Sequence, residues 1–313
     1  MSGVPNLFSL RSCRRVNIYR AVVCAAFSFM VVSVLQAPPI FAASRAPSSD
    51  EPFDVYEKSI LDLQQEMSSG AVTARQLVEA YLARISAYDH AGPRLNSIVT
   101  LNPRARDEAD ALDGERRSGK VRGPLHGIPV LLKDNYDTMD MPTSGGTLAL
   151  ATLRPAKDAF QVKRLRDAGA IILGKTTMHE LAAGTTTVSS LTGITRNPYD
   201  PARIPGGSSG GTGVAVAASF AAAGMGSDTC GSIRIPSAFQ NLVGLRGTHG
   251  LASLTGIMPL SSTQDIGGPL ARSVTDLAIM LDATVGTDPA DSHTAGVNAH
   301  IPRSYRAALE DEG

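Results

Sequence analysis

Residues 206–236 read GGSSGGTGVAVAASFAAAGMGSDTCGSIRIP. Ser208 and Ser232 each stand in a glycine-flanked turn, and a run of small apolar residues joins the two turns. Upstream, Ile128-Pro129-Val130-Leu131-Leu132 is an uncharged run that ends on Lys133 and Asp134. A short apolar run of this kind reads as a buried strand, which would deliver a lysine at its end.

Several familiar glycine-rich elements do not fit. A phosphate-binding loop places Lys before the Ser/Thr that closes its glycine run, whereas Gly211 precedes Thr212 here. A dinucleotide fingerprint begun at Gly211 has Val216 where its third glycine belongs. A plain glycine-serine linker would not resume helical, apolar sequence at once. Gly206-Gly207-Ser208-Ser209-Gly210 does satisfy the G-x-S-x-G nucleophile elbow, but that elbow follows a buried strand. The residues before it, Asn197 to Pro205, carry three prolines, which a central strand does not accept. His249, His293 and His300 lie downstream without a motif around them, so a histidine-dependent hydrolase stands only as an alternative.

A serine hydroxyl attacks a carbonyl when a base takes its proton in the transition state. Lysine serves as that base when burial lowers its usual pKa of about 10.4 enough to leave it neutral. One buried lysine and two serines in glycine-walled turns are therefore the parts of a serine hydrolase without histidine. Cys230 is a second possible nucleophile, with no histidine in its motif to activate it.

Around these residues the chain alternates. Thr73-Ala-Arg-Gln76 forms a capping box that opens a helix, with Val72 stapling onto Leu77 and with Leu77, Val78, Tyr81, Leu82 and Ile85 on one face. Ser97 to Leu101 reads as a strand, and Asn102-Pro103 caps a helix carrying Ala105, Ala109 and Leu112. Ile128–Leu132 and Ala170–Leu173 read as strands. Asp158–Ala168, Thr177–Ala183, Gly210–Ala223 and Ser273–Val285 read as helices. The βα alternation predicts a layered α/β domain.

Lys133 within HGIPVLLKD, RNPYDP at 196–201, GGSSGG at 206–211, GSDTCGSIRIPSAF at 226–239 and TQDIGGPLARSVTDLAIMLD at 263–282 together resemble the amidase signature family of serine hydrolases. The resemblance runs from about Pro52 to about Val285 and includes the 24-residue separation of Ser208 and Ser232. It implies a central mixed, twisted β-sheet covered by helices. It implies Ser232 as nucleophile, Ser208 as a bridging serine on a cis peptide bond, and Lys133 as base. The backbone N–H groups of Thr229, Cys230, Gly231 and Ser232 would form the oxyanion hole. Ser209 and Thr212 would support the serine loop, and Asp228 would pair with Arg234 across the nucleophile turn. The substrate would be a small-molecule carboxylic amide, cleaved with neither metal nor organic cofactor. Cys230 departs from the glycine more usual there and would be strained if the position required a positive φ. The resemblance also implies a further C-terminal portion that completes the sheet and lines the pocket. Residues 45–313 are accordingly expected to be an amidase-signature domain lacking that portion, incomplete at its C-terminus, with a non-catalytic remnant as the alternative to an enzyme.

The remaining composition is ordinary for a globular protein: 313 residues, 43% hydrophobic, 19% charged, no net charge. No basic surplus points to nucleic acid or an anionic membrane, which also weighs against the branch of the family acting on charged tRNA. Arg11, Arg14, Arg15 and Arg20 precede the apolar stretch Ala21–Leu35, and Ala42-Ala43-Ser44 follows it. This pattern predicts a secretory signal peptide over 1–44 and a periplasmic or secreted domain without stable membrane insertion. Arg14-Arg15 partly matches a twin-arginine signal. The alternative, an uncleaved anchor, has fewer than the roughly 20 apolar residues a span needs. Cleavage would remove Cys13 and Cys24 and leave Cys230 alone, so the domain would hold no internal disulfide.

Overall fold

The computed structural model describes residues 53–310. The export signal expected over 1–44, with Cys13 and Cys24, lies outside the described residues.

Helix α1 (Ile60–Ser69) opens on a capping box between Ser59 and Asp62 and buries Ile60, Leu63 and Met67. Helix α2 (Ala74–Tyr88) opens on the expected box: Gln76 N donates to Thr73 Oγ1 at 3.1 Å, and Thr73 N to Gln76 Oε1 at 2.9 Å. Its buried face is Leu77, Val78, Tyr81 and Ile85. After β1 (Ile98–Leu101) comes helix α3 (Ala105–Arg117), which buries Ala105, Ala109 and Leu112. Asn102 does not cap α3 as expected. The cap position is Arg104, and the Asn102 side chain instead accepts from the Arg104 N–H at 2.9 Å, in the turn that leads into the helix.

Strands β2 (Pro129–Lys133) and β3 (Ile171–Thr176) flank helix α4 (Phe160–Asp167) in sequence. A short hairpin, β4 (Val188–Ser189) and β5 (Gly193–Ile194), precedes helix α5 (Gly210–Ala217). Strand β6 (Ala223–Asp228), helix α6 (Arg234–Phe239), strands β7 (Val243–Gly244) and β8 (Ile266–Ala271), and helix α7 (Val274–Thr284) complete the regular elements.

The main sheet runs β1-β3-β2-β6-β8-β7. The inner pairs β3–β2 and β2–β6 are parallel, and β1–β3, β6–β8 and β8–β7 are antiparallel. The sheet is therefore mixed, as expected. Every residue of β2, β3, β6 and β8 is buried, the pattern of strands covered on both faces. Helix α5 packs on β2 and β6, and α7 packs on β8 and α4.

Two expected helices differ. The helix from Gly210 stops at Ala217, the chain turns through Ser219 at φ 55°, and Ala223 begins a central strand. The strand's sequence, AGMGSD, has no β-branched residue. Its glycines answer instead to packing, since a Cβ on Gly224 would lie 2.5 Å from Thr212 Cγ2 on α5. The helix expected over Thr177–Ala183 is a single 3₁₀ turn, Glu180–Ala182, in which Leu181 and Ala182 have φ of 50° and 60°.

Candidate active site

Parallel pairing of β2 with both β3 and β6 buries the end of β2 between two strands and places Lys133 there, with no exposure to solvent. Its Nζ donates to Ser208 Oγ at 2.7 Å, Ser227 Oγ at 2.8 Å and the Ser227 carbonyl oxygen at 3.3 Å. Burial pushes the Lys133 pKa down to about 7, against the opposing pull of the Asp228 and Asp265 carboxylates. A lysine so placed changes protonation state near neutrality.

Ser208 precedes α5 and is itself fully buried; the Gly207–Ser208 peptide bond is cis. The loop is fixed from both sides. His179 N donates to the Ser208 carbonyl oxygen at 3.0 Å, and Ser209 N donates to the Ser232 carbonyl oxygen at 3.1 Å. The second bond ties the two serine turns together. Ser209 Oγ donates to the Ser227 carbonyl oxygen at 3.1 Å, and Thr212 Oγ1 to that of Met225 at 3.2 Å. Both expected supporting residues thus pin α5 to β6. Residues 198–209 form no strand ahead of Ser208, so the nucleophile-elbow geometry is absent there.

Ser232 is 5% exposed, in the turn between β6 and α6. Among the described residues no hydrogen bond joins its hydroxyl to Ser208. Asp228 organises this turn from beneath. Its carboxylate accepts from the N–H groups of Gly231 at 2.8 Å, Ile233 at 3.0 Å and Arg234 at 3.3 Å. Arg234 Nε and Nη2 add a fork at 3.2 and 3.1 Å, so the expected pair is formed. Burial pushes the Asp228 pKa up, but the bonds from Arg234 and from these backbone N–H groups outweigh it and hold the carboxyl below its usual range.

The four expected oxyanion donors divide. The Gly231 N–H already donates to Asp228, so it is not free. Among the described residues the N–H groups of Thr229, Cys230 and Ser232 have no acceptor. Cys230 lies outside the positive-φ residues, so the condition under which it would be strained is not met; the φ of +142° falls on Gly231 instead. The Cys230 thiol is exposed.

Several participants carried no signal that singled them out in sequence. Ser227 accepts from Lys133 Nζ alongside Ser208, and Asn135 Nδ2 donates to Ser227 Oγ at 3.0 Å and to the Met258 carbonyl at 3.3 Å. Asp265 accepts from Thr229 Oγ1 at 2.5 Å, and Arg246 bonds both the carbonyl and the carboxylate of Asp228. A second buried lysine, Lys175, pairs with Asp134 at 3.4 Å and donates to Thr143 Oγ1 at 3.1 Å. His249 and His293 pack edge to face, 4.7 Å between ring centroids, in an apolar groove of about 740 Å³ whose lining includes neither Ser208 nor Ser232. Among the described residues no group of three or more His, Cys, Asp or Glu is arranged to hold a metal, and no helix is long and apolar enough to cross a membrane.

A family model described as Amidase matches residues 76–312. The native peptide amidase from Stenotrophomonas maltophilia is similar in structure, with TM-score 0.79 and 48% identity, over 82% of this chain and 54% of that one. An amidase family protein from Bacillus anthracis has TM-score 0.78 and 40% identity, over 80% and 51%. Among curated proteins, a glutamyl-tRNA(Gln) amidotransferase subunit from Halorhodospira halophila is 39% identical over 256 residues, 82% of this chain and 51% of its own length. The chain spans about half the length of the curated relatives it matches.

Proposed function

The chain belongs to the Amidase family, and from that premise we propose that it hydrolyses a carboxylic amide to an acid and ammonia or an amine through an acyl-Ser232 intermediate. The observation that carries this reading is the buried Lys133 Nζ, 2.7 Å from Ser208 Oγ.

In the proposed mechanism Lys133 is neutral and accepts the Ser208 proton as Ser208 takes the proton of Ser232. The Ser232 oxygen attacks the amide carbon, and negative charge moves onto the carbonyl oxygen. Backbone N–H groups of Thr229, Cys230 and Ser232 bind that oxygen, an effect worth about 3–4 kcal/mol per donor in other hydrolases. As the tetrahedral species collapses the C–N bond breaks, and the Lys133 proton returns through Ser208 to the leaving nitrogen. Water then attacks the acyl carbon, gives one proton to the same relay, and releases the acid with Ser232 regenerated. An ester would follow the same path with a better leaving group.

The 48% identity to a peptide amidase, against 32–42% for the amidotransferase subunits, favours a peptide-like amide substrate. Those subunits favour a second reading, in which the chain serves an amidotransferase acting on glutamyl-tRNA(Gln). Fluorophosphonate labelling of the purified chain beside Ser232→Ala and Lys133→Ala tests the site. Labelling lost in both variants, followed by release of ammonia from a C-terminal peptide amide without any partner, is the expected result. A folded chain that does not label sinks the enzyme reading, and turnover only with tRNA and partner subunits favours the second.

Export to the periplasm or medium is also proposed, on the arginine-flanked apolar stretch ending near Ala42-Ala43-Ser44. N-terminal sequencing of protein recovered from the native host should begin near residue 45; an intact N-terminus would count against cleavage.

A further inference from the structure

Arg246 follows β7 and bonds the turn that carries Ser232 through Asp228. Its Nη1 donates to the main-chain carbonyl oxygen of Asp228 and, at 3.3 Å, to that residue's Oδ1. Its Nη2 donates to the Gln264 carbonyl at 2.7 Å, which fixes the guanidinium in place. Arg234, by contrast, grips only the Asp228 carboxylate.

The Asp228 carbonyl and the Thr229 N–H are the two ends of one planar peptide unit, pointing in opposite directions across a trans bond. A cation on the carbonyl oxygen therefore sets the direction of the Thr229 N–H. It also draws electron density toward oxygen, which makes that N–H a stronger donor. The Thr229 N–H has no acceptor among the described residues. The Thr229 side chain is anchored separately, through Oγ1 to Asp265 Oδ1 at 2.5 Å, while Asp265 Oδ2 accepts from Leu260 N at 2.7 Å and Ser261 N at 3.0 Å. One peptide unit is thus held at its oxygen by a guanidinium and beside its nitrogen by a buried carboxylate.

We propose that Arg246 is a positioning residue of the hydrolytic site: acting through the Asp228 carbonyl, it orients and polarises the Asp228–Thr229 peptide so that the Thr229 N–H meets the developing oxyanion. Asp265 holds the same peptide in register through the Thr229 hydroxyl. This assignment rests on the acyl-Ser232 reading.

The test compares wild type, Arg246→Ala, Arg246→Lys and Ser232→Ala in steady-state hydrolysis of a peptide amide and in the rate of fluorophosphonate labelling, with thermal melts alongside. Loss of a whole oxyanion donor lowers kcat by about 10²–10³, so loss of its orientation in Arg246→Ala should lower kcat about ten- to hundredfold. KM should stay within about twofold, labelling should slow in parallel, and added methylguanidine should restore part of the rate. Arg246→Lys keeps the charge without the fork that reaches both carbonyls, and should lose kcat severalfold; it carries the test if the alanine variant does not fold. Active wild type with unchanged kcat in a folded Arg246 variant, or a loss confined to KM, overturns this assignment alone. Wild type that neither turns over nor labels overturns the acyl-Ser232 reading and this assignment with it.

Discussion

Lys133 Nζ and Ser208 Oγ stand 2.7 Å apart with both residues sealed from solvent, and the lysine donates to the hydroxyl oxygens of Ser208 and Ser227 and to the Ser227 carbonyl oxygen. Hydroxyl and carbonyl acceptors stabilise an ammonium less than a directly paired carboxylate does, so desolvation dominates and the nitrogen loses its proton near pH 7.

The first prediction concerns pH. If neutral Lys133 is the base, kcat/KM should rise as pH passes through about 7 and level above it. Stability follows the same group. The unfolded lysine keeps its proton up to about pH 10.4, so between the two pKa values the unfolded chain binds the extra proton and stability rises with pH. Lys133→Met removes both effects. It should be inactive, and its melting temperature relative to wild type should be highest below pH 7 and fall steadily toward pH 10. A constant difference across that range would contradict the burial of a titrating lysine.

Asp228→Asn probes the turn that carries Ser232. The substitution keeps an acceptor but sets an amide NH₂ against the Arg234 and Arg246 guanidiniums and three backbone N–H groups. Removing one partner from a buried charge pair typically costs about 3–5 kcal/mol, and the half-exposed Arg234 places this site toward the lower end. Because the Asp228 pKa is held below its usual value, that contribution is present above about pH 4 and is lost as pH falls through the folded value. Urea titrations at pH 7 and pH 3 should show a large difference from wild type at the first and a smaller one at the second. Full activity with an unchanged melt at pH 7 would remove Asp228 from this role.

How far the sequence discloses this arrangement depends on what each residue packs against. Lys133, Ser208 and Ser232 stand in motifs whose glycines and apolar runs are local, and the Thr73 box is closed within four residues. Strand β6 is different: AGMGSD carries no β-branched signal, because helix α5 must lie so close that only small residues fit beneath Thr212. Ser227, Asp265 and Arg246 are invisible for another reason. Their roles exist only once β6, β8 and the segment after β7 are side by side, and no local pattern encodes that pairing.

Cys230 should be replaceable. It is exposed, outside the positive-φ region, and contributes a backbone N–H that any residue supplies. Cys230→Gly and Cys230→Ala should change kcat by less than about threefold and stability by less than about 1 kcal/mol. Iodoacetamide should modify the wild-type thiol, leaving only the partial inhibition expected of bulk beside the turn. Abolished turnover in Cys230→Ala, with Ser232→Ala still active, would make the thiol the nucleophile instead.

Gly211→Ala tests the close approach that lets α5 carry Ser208 to Lys133. A Cβ at this position would overlap the Thr177 carbonyl oxygen and lie 2.6 Å from the Thr177 nitrogen, backbone atoms that cannot swing aside. Thr177 is itself held: its N–H donates to the Ser97 carbonyl at 2.8 Å, and its Oγ1 pairs with Thr195 Oγ1 at 2.6 Å. The helix must therefore move outward, which stretches the Ser209 and Thr212 bonds to β6 and draws Ser208 away from Lys133. Overpacking of this kind costs about 1–3 kcal/mol, and a displacement near 1 Å at a catalytic group lowers kcat by about a hundredfold. Activity should fall further than the melting temperature alone explains, and this is read by comparing kcat well below the melt with the urea midpoint. A variant that loses stability yet keeps wild-type kcat would mean that Ser208 reaches Lys133 without the help of helix contact at Gly211.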